Sequence, residues 1–355
     1  MTFIHSSSSG CSSMSGARIV VVAACLWMAA AATEAPKWKL NNGLEIPALA
    51  LGTYLGFDEH GVMTSTNKQL RDTVVSALQL GYRHIDTAAV YQTEAEIGEA
   101  IAMCVANGTV RREDVFVTTK LWNTRHGRAR VAEALRDSLK KMRLDYVDLY
   151  LMHWPVALNE DYSFASIDYL DTWRGLEDVH RLGLARSIGL SNFNRQQVAR
   201  VIKEGSVKPA VLQIEAHPQI VQQDLVSYAQ SEGLVIMGFS PLGSLVSRFG
   251  MEAGGPRVDD PTLVEIAAKY KKTTPQVLLR WLIERKIIPI PKTVKQSRLV
   301  ENLNIFDFHL TPAEVATISA FDSNKRFTFP SFWQNHPHYP FEKIKNPIRD
   351  PFGRK

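Results

Sequence analysis

The sequence predicts an α/β protein whose eight parallel strands close into a (β/α)8 barrel, or TIM barrel, behind an N-terminal β-hairpin. Eight short apolar runs alternate with amphipathic helical stretches, which is the pattern of a parallel sheet. No G-x-G-x-x-G sequence follows the first run, so an open, doubly wound sheet is disfavoured. Polar residues end one predicted strand after another, and barrels of this kind hold their sites at that face.

The predicted elements follow one another without a low-complexity linker. Asn41-Asn42-Gly43 lies between two short half-apolar runs and predicts the hairpin turn. We expect the eight strands at residues 48–52, 84–87, 115–119, 147–152, 185–190, 211–215, 235–239 and 287–291. Helical patterns between them include 69–80, 94–106, 131–142, 169–181, 195–203, 261–270 and 275–285. The last two carry Pro in the first turn, where its missing N–H costs nothing.

Composition excludes several classes of protein. A chain of 355 residues with 45% hydrophobic residues is long and apolar enough to bury a large core. The net charge of +5 comes without a basic block, so we expect no nucleic-acid partner, although an anionic small ligand stays possible. The three cysteines, Cys11, Cys25 and Cys104, have no metal-ligand spacing, so neither a metal site nor a disulfide framework is expected.

The first 32 residues have the pattern of a cleaved signal peptide. The apolar run at 19–32 is too short to cross a bilayer, and the alanines at 29–32 offer a cleavage site. We therefore predict secretion and no membrane segment after cleavage; an uncleaved anchor or a mis-assigned start, and a cytoplasmic location, are the alternatives. Asn107 begins an Asn-Gly-Thr sequon that could be glycosylated only on the secretory route. The barrel domain is expected at 37–341, followed by a tail at 342–355 without an assigned function.

Four residues at the predicted strand ends make chemical sense together. The Lys120 ammonium near the Tyr91 hydroxyl would favour phenolate and lower a pKa that starts near 10. Tyr91 would then donate a proton near neutral pH, and Asp86 would balance the lysine charge. His153 could donate a hydrogen bond to a carbonyl oxygen. This group can protonate an oxygen while a second reactant attacks the carbon.

The second reactant must carry hydride, since no side chain supplies it. Ser191, Asn192 and Gln213 can hydrogen-bond a carboxamide, and Phe239 can stack on a nicotinamide ring. Lys292 and Arg298 flank an expected helix start near Ser297, where two cations fit a 2′-phosphate. The residues therefore favour NADP(H) as the cofactor.

Five sequence motifs resemble those of the aldo-keto reductase family: Gly-Tyr-Arg-His-Ile-Asp-Thr-Ala at 81–88, Thr-Lys-Leu-Trp-Asn at 119–123, Leu-Met-His-Trp-Pro at 151–155, Gly-Leu-Ser-Asn-Phe at 189–193 and Ile-Pro-Lys-Thr-Val at 290–294. The resemblance implies a (β/α)8 barrel, NADPH as hydride donor, and Tyr91 as proton donor supported by Asp86, Lys120 and His153. It also implies cofactor contacts at Ser191, Asn192, Gln213, Ser240, Leu242, Ser244, Lys292, Thr293, Val294, Arg298, Glu301 and Asn302. Trp122 and Trp154 are assigned to the substrate pocket, with Tyr54 where one branch of the family often has Trp.

The resemblance implies a small carbonyl compound as partner and a monomeric enzyme. The overall pattern is most similar to secreted insect ketosteroid reductases of the family, so the leading substrate is 3-dehydroecdysone, reduced to its 3β-alcohol. A broad aldehyde and ketone reductase is the alternative, and a non-catalytic NADPH-binding barrel is a third hypothesis. Taken alone, His153 could be a core histidine, Lys120 and Asp86 a structural ion pair, and Ser191-Asn192 a turn. Their joint placement favours an active site, because the separate explanations are independent.

Overall fold

The computed structural model describes residues 34–56, 68–245 and 255–347. The predicted signal peptide at 1–32 lies outside these residues, as does the part of the predicted tail from residue 348 onward. Within the part of the chain that is described, the helices are too short and too polar to cross a membrane.

The N-terminal hairpin forms as predicted and covers one end of the barrel. Strands β1 (Lys37–Lys39) and β2 (Glu45–Pro47) pair antiparallel, and Gly43 in their turn has the left-handed φ of 87° that favours glycine. Leu40 and Ile46 point into the apolar interior of the barrel. The Asn42 Nδ2 atom donates to Ser187 Oγ at 2.9 Å, close to where a barrel strand begins. The hairpin therefore closes the amino-terminal end of the barrel, opposite the predicted site.

Eight parallel strands form the barrel, each paired with its sequence neighbour. Closure is completed between the last strand and the first by a parallel bridge between Gly52 and Lys292, and the Gly52 N–H donates to Pro291 O at 3.0 Å. The predicted (β/α)8 barrel is therefore confirmed. Its strands are β3 (Leu51–Gly52), β4 (His84–Asp86), β5 (Phe116–Leu121), β6 (Val147–Met152), β7 (Ala185–Ser191), β8 (Val211–Glu215), β9 (Val235–Phe239) and β10 (Ile287–Ile290).

Two predicted strands need correction by more than one residue, and those predicted at 84–87, 185–190 and 287–291 differ from the observed strands by a single residue. The first strand is shorter than 48–52, because Ala48 N–H bonds to Pro36 O outside the barrel ladder, and regular pairing with β4 begins only at Leu51. The strand predicted at 115–119 instead spans Phe116–Leu121, because its pairing with β6 continues through Lys120. In the sequence, a polar residue after an apolar run suggests that the strand has ended. Strand pairing uses backbone hydrogen bonds, so it can continue past a polar side chain.

Helices surround the barrel and were predicted to within about three residues where their apolar stripe is clear. The helix predicted at 131–142 begins earlier, at Arg128, directly after Gly127 with φ 96°. Three further helices, α6, α9 and α10, complete the set. The helices are α1 (Lys68–Leu80), α2 (Glu94–Ala106), α3 (Arg128–Met142), α4 (Tyr169–Arg181), α5 (Arg195–Glu204), α6 (Gln223–Ser231), α7 (Pro261–Tyr270), α8 (Thr274–Glu284), α9 (Gln296–Leu303) and α10 (Pro312–Ser319).

After α10 the chain returns across the carboxyl end of the barrel as an irregular segment, residues 322–341, which we call the C-terminal segment. Its Trp333 and Tyr339 pack with Trp154, Val156 and Leu158 in an apolar cluster separate from the main core. The mouth of the barrel is therefore walled partly by residues nearly 200 positions away from the strands they cover.

Candidate active site

A buried ion pair lies at the carboxyl ends of β4 and β5. Lys120 is fully buried, and its Nζ donates to Asp86 Oδ1 at 2.6 Å and to Thr87 O at 2.8 Å. The second Asp86 oxygen, Oδ2, accepts from Gln213 Nε2 at 2.7 Å. Burial lowers the pKa of Lys120, and the neighbouring Asp86 carboxylate opposes that change. The ammonium is thus held in place by a carboxylate that is itself fixed from β8.

Tyr91 stands over this pair. It ends a single 3-10 turn, Ala89–Tyr91, which stops at Gln92 in the left-handed conformation with φ 56°. The Lys120 Nζ atom lies 5.0 Å from the centre of the Tyr91 ring. The His153 ring is 5.7 Å away, centre to centre, and nearly perpendicular. The three predicted residues therefore converge on one point of the mouth.

The predicted lowering of the Tyr91 pKa is wrong for this structure. Burial raises the pKa of Tyr91 well above its usual value, and the negative charge of Asp86 adds to the increase. The Lys120 ammonium, which is paired with Asp86 at 2.6 Å, does not outweigh the effect of burial. Tyr91 accordingly keeps its proton at neutral pH, which is the state that a proton donor needs.

His153 follows β6 and faces the same space. Its backbone N–H donates to Leu121 O at 3.2 Å, and its carbonyl oxygen accepts from Asn192 Nδ2 at 3.0 Å. Burial, with a smaller contribution from the Lys120 charge, lowers the pKa of His153 well below 6.5. Its Nδ1 atom has no hydrogen-bond partner among the described residues. The imidazole is therefore neutral and able to donate a hydrogen bond without carrying charge.

Aromatic side chains line the space beside Tyr91 and His153. The Tyr54 ring lies 5.0 Å from that of Tyr91, and the Trp122 ring lies 5.4 Å from that of His153. Trp154 is almost fully buried and packs edge-on against Trp333 at 5.6 Å. Tyr54 and Trp122 are placed beside the candidate catalytic residues, whereas Trp154 links them to the C-terminal segment.

Sequence reasoning missed the contribution of Trp333. Its ring centre lies 6.0 Å from that of Trp122, so it extends the aromatic wall from the far end of the chain. A signal was present, because residues 327–341 contain an unusual density of aromatic and histidine side chains for an irregular segment. Only the fold shows that this stretch crosses the mouth.

The predicted carboxamide-binding residues border the candidate catalytic group. Ser191 ends β7, and Asn192 adopts the left-handed conformation with φ 62°, which asparagine tolerates better than most residues. Asn192 Nδ2 also contacts Ser191 Oγ at 3.2 Å. Since the amide nitrogens of Asn192 and Gln213 already bind His153 O and Asp86, these residues hold the candidate catalytic group in place.

The other predicted cofactor residues follow β9 and β10. Phe239 ends β9 half-buried, and Ser240 after it is left-handed with φ 54°. Glu301 is tied to the neighbouring helix pair through the Thr273 hydroxyl. The remaining predicted positions lie in order along the same rim: Leu242 and Ser244 in the connection after β9, Lys292, Thr293 and Val294 directly after β10, and Arg298 and Asn302 on α9.

The comparison with known families agrees with this geometry. The model of the Aldo/keto reductase family matches residues 48–323, which span the barrel and every site residue predicted from the sequence. The chain belongs to the aldo/keto reductase family. The prediction of an oxidoreductase of this family is thereby confirmed.

Two relatives show how far the similarity extends. This aldo/keto reductase is 48% identical over 309 residues to aldo-keto reductase AKR2E4 of Bombyx mori, covering 87% of this chain and 99% of that protein. It is 42% identical to aldo-keto reductase family 1 member A1 of Gallus gallus, over 85% of this chain and 96% of the relative.

Solved structures of silkworm enzymes have the same fold. The crystal structure of Bombyx mori AKR2E4 in complex with NADP superposes with a TM-score of 0.84 at 48% identity, covering 87% of this chain and 99% of that one. The structure of AKR2E5 complexed with NADPH superposes with a TM-score of 0.87 at 43% identity, covering 91% and 98%.

Proposed function

We propose that this aldo/keto reductase reduces a ketone or an aldehyde with hydride from NADPH, and that Tyr91 donates the proton. One observation carries the proposal: the Tyr91 ring lies 5.0 Å from the Lys120 ammonium and 5.7 Å from the His153 ring in a single pocket. The group can deliver a proton to an oxygen.

Each residue has a distinct task in this proposal. Tyr91 holds its proton at the phenol oxygen until the carbonyl oxygen gains negative charge, and then transfers it. Neutral His153 orients the carbonyl oxygen by a hydrogen bond from its ring N–H. Lys120, held by Asp86 and Thr87 O, places positive charge beside the phenol as it loses its proton. Asp86 does not touch the substrate and acts by positioning Lys120.

The rim of the mouth fits a phosphorylated dinucleotide. Lys292, which precedes α9, and Arg298, in its first turn, are exposed, and the N-cap side chain of Lys295 accepts no N–H of the helix, so N–H groups of the first turn and two cations can face a phosphate. Half-buried Phe239 presents a ring to a planar group. When bound, the reduced nicotinamide supplies hydride to the carbonyl carbon. The NADP and NADPH complexes of the silkworm relatives support this choice.

Steady-state kinetics test the cofactor proposal. Purified protein should oxidise NADPH in the presence of a reactive aldehyde, and NADH much more slowly. Lys292→Ala and Arg298→Ala should each raise the KM for NADPH by roughly 10- to 100-fold while changing that for NADH far less, because each removes a charged contact to the 2′-phosphate. Lys39→Ala, at the opposite end of the barrel, is the control. Unchanged discrimination in both rim variants would refute the phosphate assignment.

For the substrate, a 3-ketosteroid is our leading proposal, with 3-dehydroecdysone reduced to its 3β-alcohol. The aromatic rings of Tyr54, Trp122 and Trp333, which lie around Tyr91 and His153, support a largely apolar substrate. A panel comparing 3-dehydroecdysone with simple aldehydes should give the steroid the higher kcat/KM. A preference for simple aldehydes would favour the broad aldehyde and ketone reductase instead. Tight NADPH binding without turnover of any carbonyl would favour the non-catalytic barrel.

We further infer that the protein enters the secretory route and is a monomer. Asn107 is exposed directly after α2, and the Thr109 hydroxyl donates to Asn107 Oδ1 at 2.6 Å, so the sequon lies on an accessible turn. Expression in insect cells should yield protein in the medium that loses mass on glycosidase treatment, and Asn107→Gln should abolish that loss. Intracellular protein without a glycan would overturn the secretory proposal.

Size-exclusion chromatography tests the proposed monomer, which should elute at the mass of a single chain.

A further inference from the structure

The turn that joins β8 to α6 fastens the C-terminal segment to the barrel. Glu215 ends β8 with a fully buried side chain. Its Oε1 accepts the Phe327 N–H at 2.8 Å, and its Oε2 accepts the Thr328 N–H at 2.9 Å. These two hydrogen bonds hold the segment firmly, because breaking them would leave the carboxylate and the backbone N–H groups unpaired in the interior.

The same turn holds the segment at a second place. Further along, the Gln219 carbonyl oxygen accepts the Lys325 N–H at 2.9 Å and the Ser323 N–H at 3.3 Å. Four backbone N–H groups between residues 323 and 328 therefore donate hydrogen bonds to residues 215–222, which we call the anchoring turn. A few residues later, the segment supplies Trp333 to the aromatic wall of the substrate pocket.

On its other side the anchoring turn touches the connection between β9 and α7. The His217 ring binds Glu215 Oε1 through Nε2 at 2.9 Å, and it lies so close to Gly243 that a Cβ there would be 2.8 Å from the ring. A Cβ on Gly255 would likewise collide with the buried Gln219 side chain. Both described ends of the connection thus pack against the turn, and the first carries Ser240, Leu242 and Ser244 of the predicted cofactor rim.

Substrate-side and cofactor-side elements are therefore held by the same three residues. We propose that Glu215, His217 and Gln219 are positioning residues that couple the C-terminal segment to the β9–α7 connection, so that each ligand strengthens binding of the other. This inference rests on the proposed function, because it takes the two elements to face carbonyl substrate and NADP(H). A shift of either element disturbs the buried, hydrogen-bonded turn and so affects the other element. Thermodynamic linkage then requires that the substrate changes the affinity for NADP(H) by the same factor as NADP(H) changes the affinity for the substrate.

A dead-end complex measures the coupling without turnover. Binding of NADP⁺ is titrated by calorimetry with and without saturating 4-benzoylpyridine, an aromatic ketone that the oxidised cofactor cannot reduce. We expect the ketone to tighten NADP⁺ binding at least about fivefold in the unmodified protein, and less than about twofold in Glu215→Gln. The variant replaces one acceptor oxygen by an N–H₂ group, which cannot bind a backbone N–H.

Glu177 provides a matched control. It is also a buried glutamate that accepts two backbone N–H groups, from Ser206 at 2.6 Å and Val207 at 2.9 Å, but both partners lie outside the two coupled elements. Glu177→Gln should leave the coupling intact. Equal coupling in the unmodified protein and Glu215→Gln, or equal loss in both variants, would overturn the proposal.

A second pair of variants tests the other contact. Gly255→Ala should weaken NADP⁺ binding about threefold or more by displacing Gln219, and adding Gln219→Ala should restore it by removing the obstructing side chain. A double variant that binds no better than Gly255→Ala refutes the contact. Unmodified protein that neither binds NADP⁺ nor oxidises NADPH would refute the proposed function itself, whereas normal turnover without coupling refutes only the role of the anchoring turn.

Discussion

The two ends of the barrel each contain a buried ion pair, and the pairs differ in how they are built. At the amino-terminal end, Asp148 Oδ2 accepts both the Arg112 guanidinium and the Val117 N–H at 3.0 Å. Arg112 is partly exposed and stacks on Tyr146 at 4.2 Å. At the mouth, Lys120 is entirely enclosed and has Asp86 as its charged partner, at 2.6 Å.

The difference separates a structural pair from a functional one. The Arg112 side chain keeps contact with water, so in the pair at the amino-terminal end, which joins β5 and β6, only the Asp148 carboxylate is fully desolvated. Complete burial of Lys120 is expensive, and an apolar residue of similar size would be at least as stable. Such a charge is best explained by what it does for Tyr91, 5.0 Å away.

The largest expected effect comes from removing the phenol hydroxyl at the mouth. Tyr91→Phe should lower kcat by about 10²- to 10⁴-fold, because no proton donor remains, while NADP⁺ binding and stability stay close to those of the unmodified protein. Tyr146→Phe, which keeps the ring under Arg112 at the other end, should leave turnover unchanged. Comparable turnover in Tyr91→Phe and unmodified protein would remove the proposed mechanism.

The two ion pairs should separate stability from activity. Lys120→Met leaves the Asp86 carboxylate buried without its cation, so we expect it to lower the free energy of unfolding by about 3–5 kcal/mol and to abolish turnover. Asp148→Asn should cost about 1–3 kcal/mol and keep kcat/KM, since Arg112 can still reach water and the asparagine oxygen can still accept the Val117 N–H. Urea unfolding and kinetics of the same preparations check both effects. A large loss of kcat/KM in Asp148→Asn contradicts the distinction.

Acid should destabilise both ends through neutral buried histidines. Burial lowers the pKa of His84, at the start of β4, to about 3, and that of His126, after β5, also to about 3. The unfolded chain binds these protons below about pH 6.5 and the folded chain does not, so stability falls from about pH 6.5 toward pH 3. Each histidine contributes about 1.4 kcal/mol per pH unit in that window.

Replacement of one histidine should remove its share of this pH dependence. The free energy of unfolding of His84→Gln and of His126→Gln, measured at several pH values between 7 and 5, should each show a smaller slope, by a difference that grows to about one proton as the pH approaches 5. A slope identical to that of the unmodified protein would mean that the replaced histidine is not neutral in the folded state.

The smallest expected effect lies in the hairpin. Asn42→Ala removes the bond to Ser187 and should lower the free energy of unfolding by about 0.5–1.5 kcal/mol, because the site is exposed. Kinetic constants should not change, since the hairpin covers the end opposite the mouth. A change in the KM for either substrate would show that the two ends are coupled.

Much of the fold could be predicted from the sequence. The strands at 147–152, 211–215 and 235–239 were predicted at their observed bounds, because strands covered on both faces are short continuous apolar runs. The end of β5 was not predicted correctly, because a polar residue such as Lys120 is more typical of a loop than of a buried strand. The grouping of Asp86, Tyr91, Lys120 and His153 was also predictable, because barrel topology brings the strand ends together wherever they lie in the sequence.

The rest depended on contacts between distant parts of the chain. Nothing local connects Glu215 with Phe327, and both Trp333 and the anchoring turn acquire their roles only when the C-terminal segment crosses the mouth. The Tyr91 pKa could not be predicted for the same reason, since it depends on burial and on which charge neutralises Lys120.

By itself the amino-acid sequence determined the alternation of strands and helices, the family and the candidate catalytic side chains, because periodicity and motifs are properties of neighbouring residues. The tertiary structure alone decided which groups are charged, which loops share an anchor and which aromatic rings wall the pocket. Those properties depend on distance and burial in space, and hydrogen bonds and charges act through space rather than along the chain.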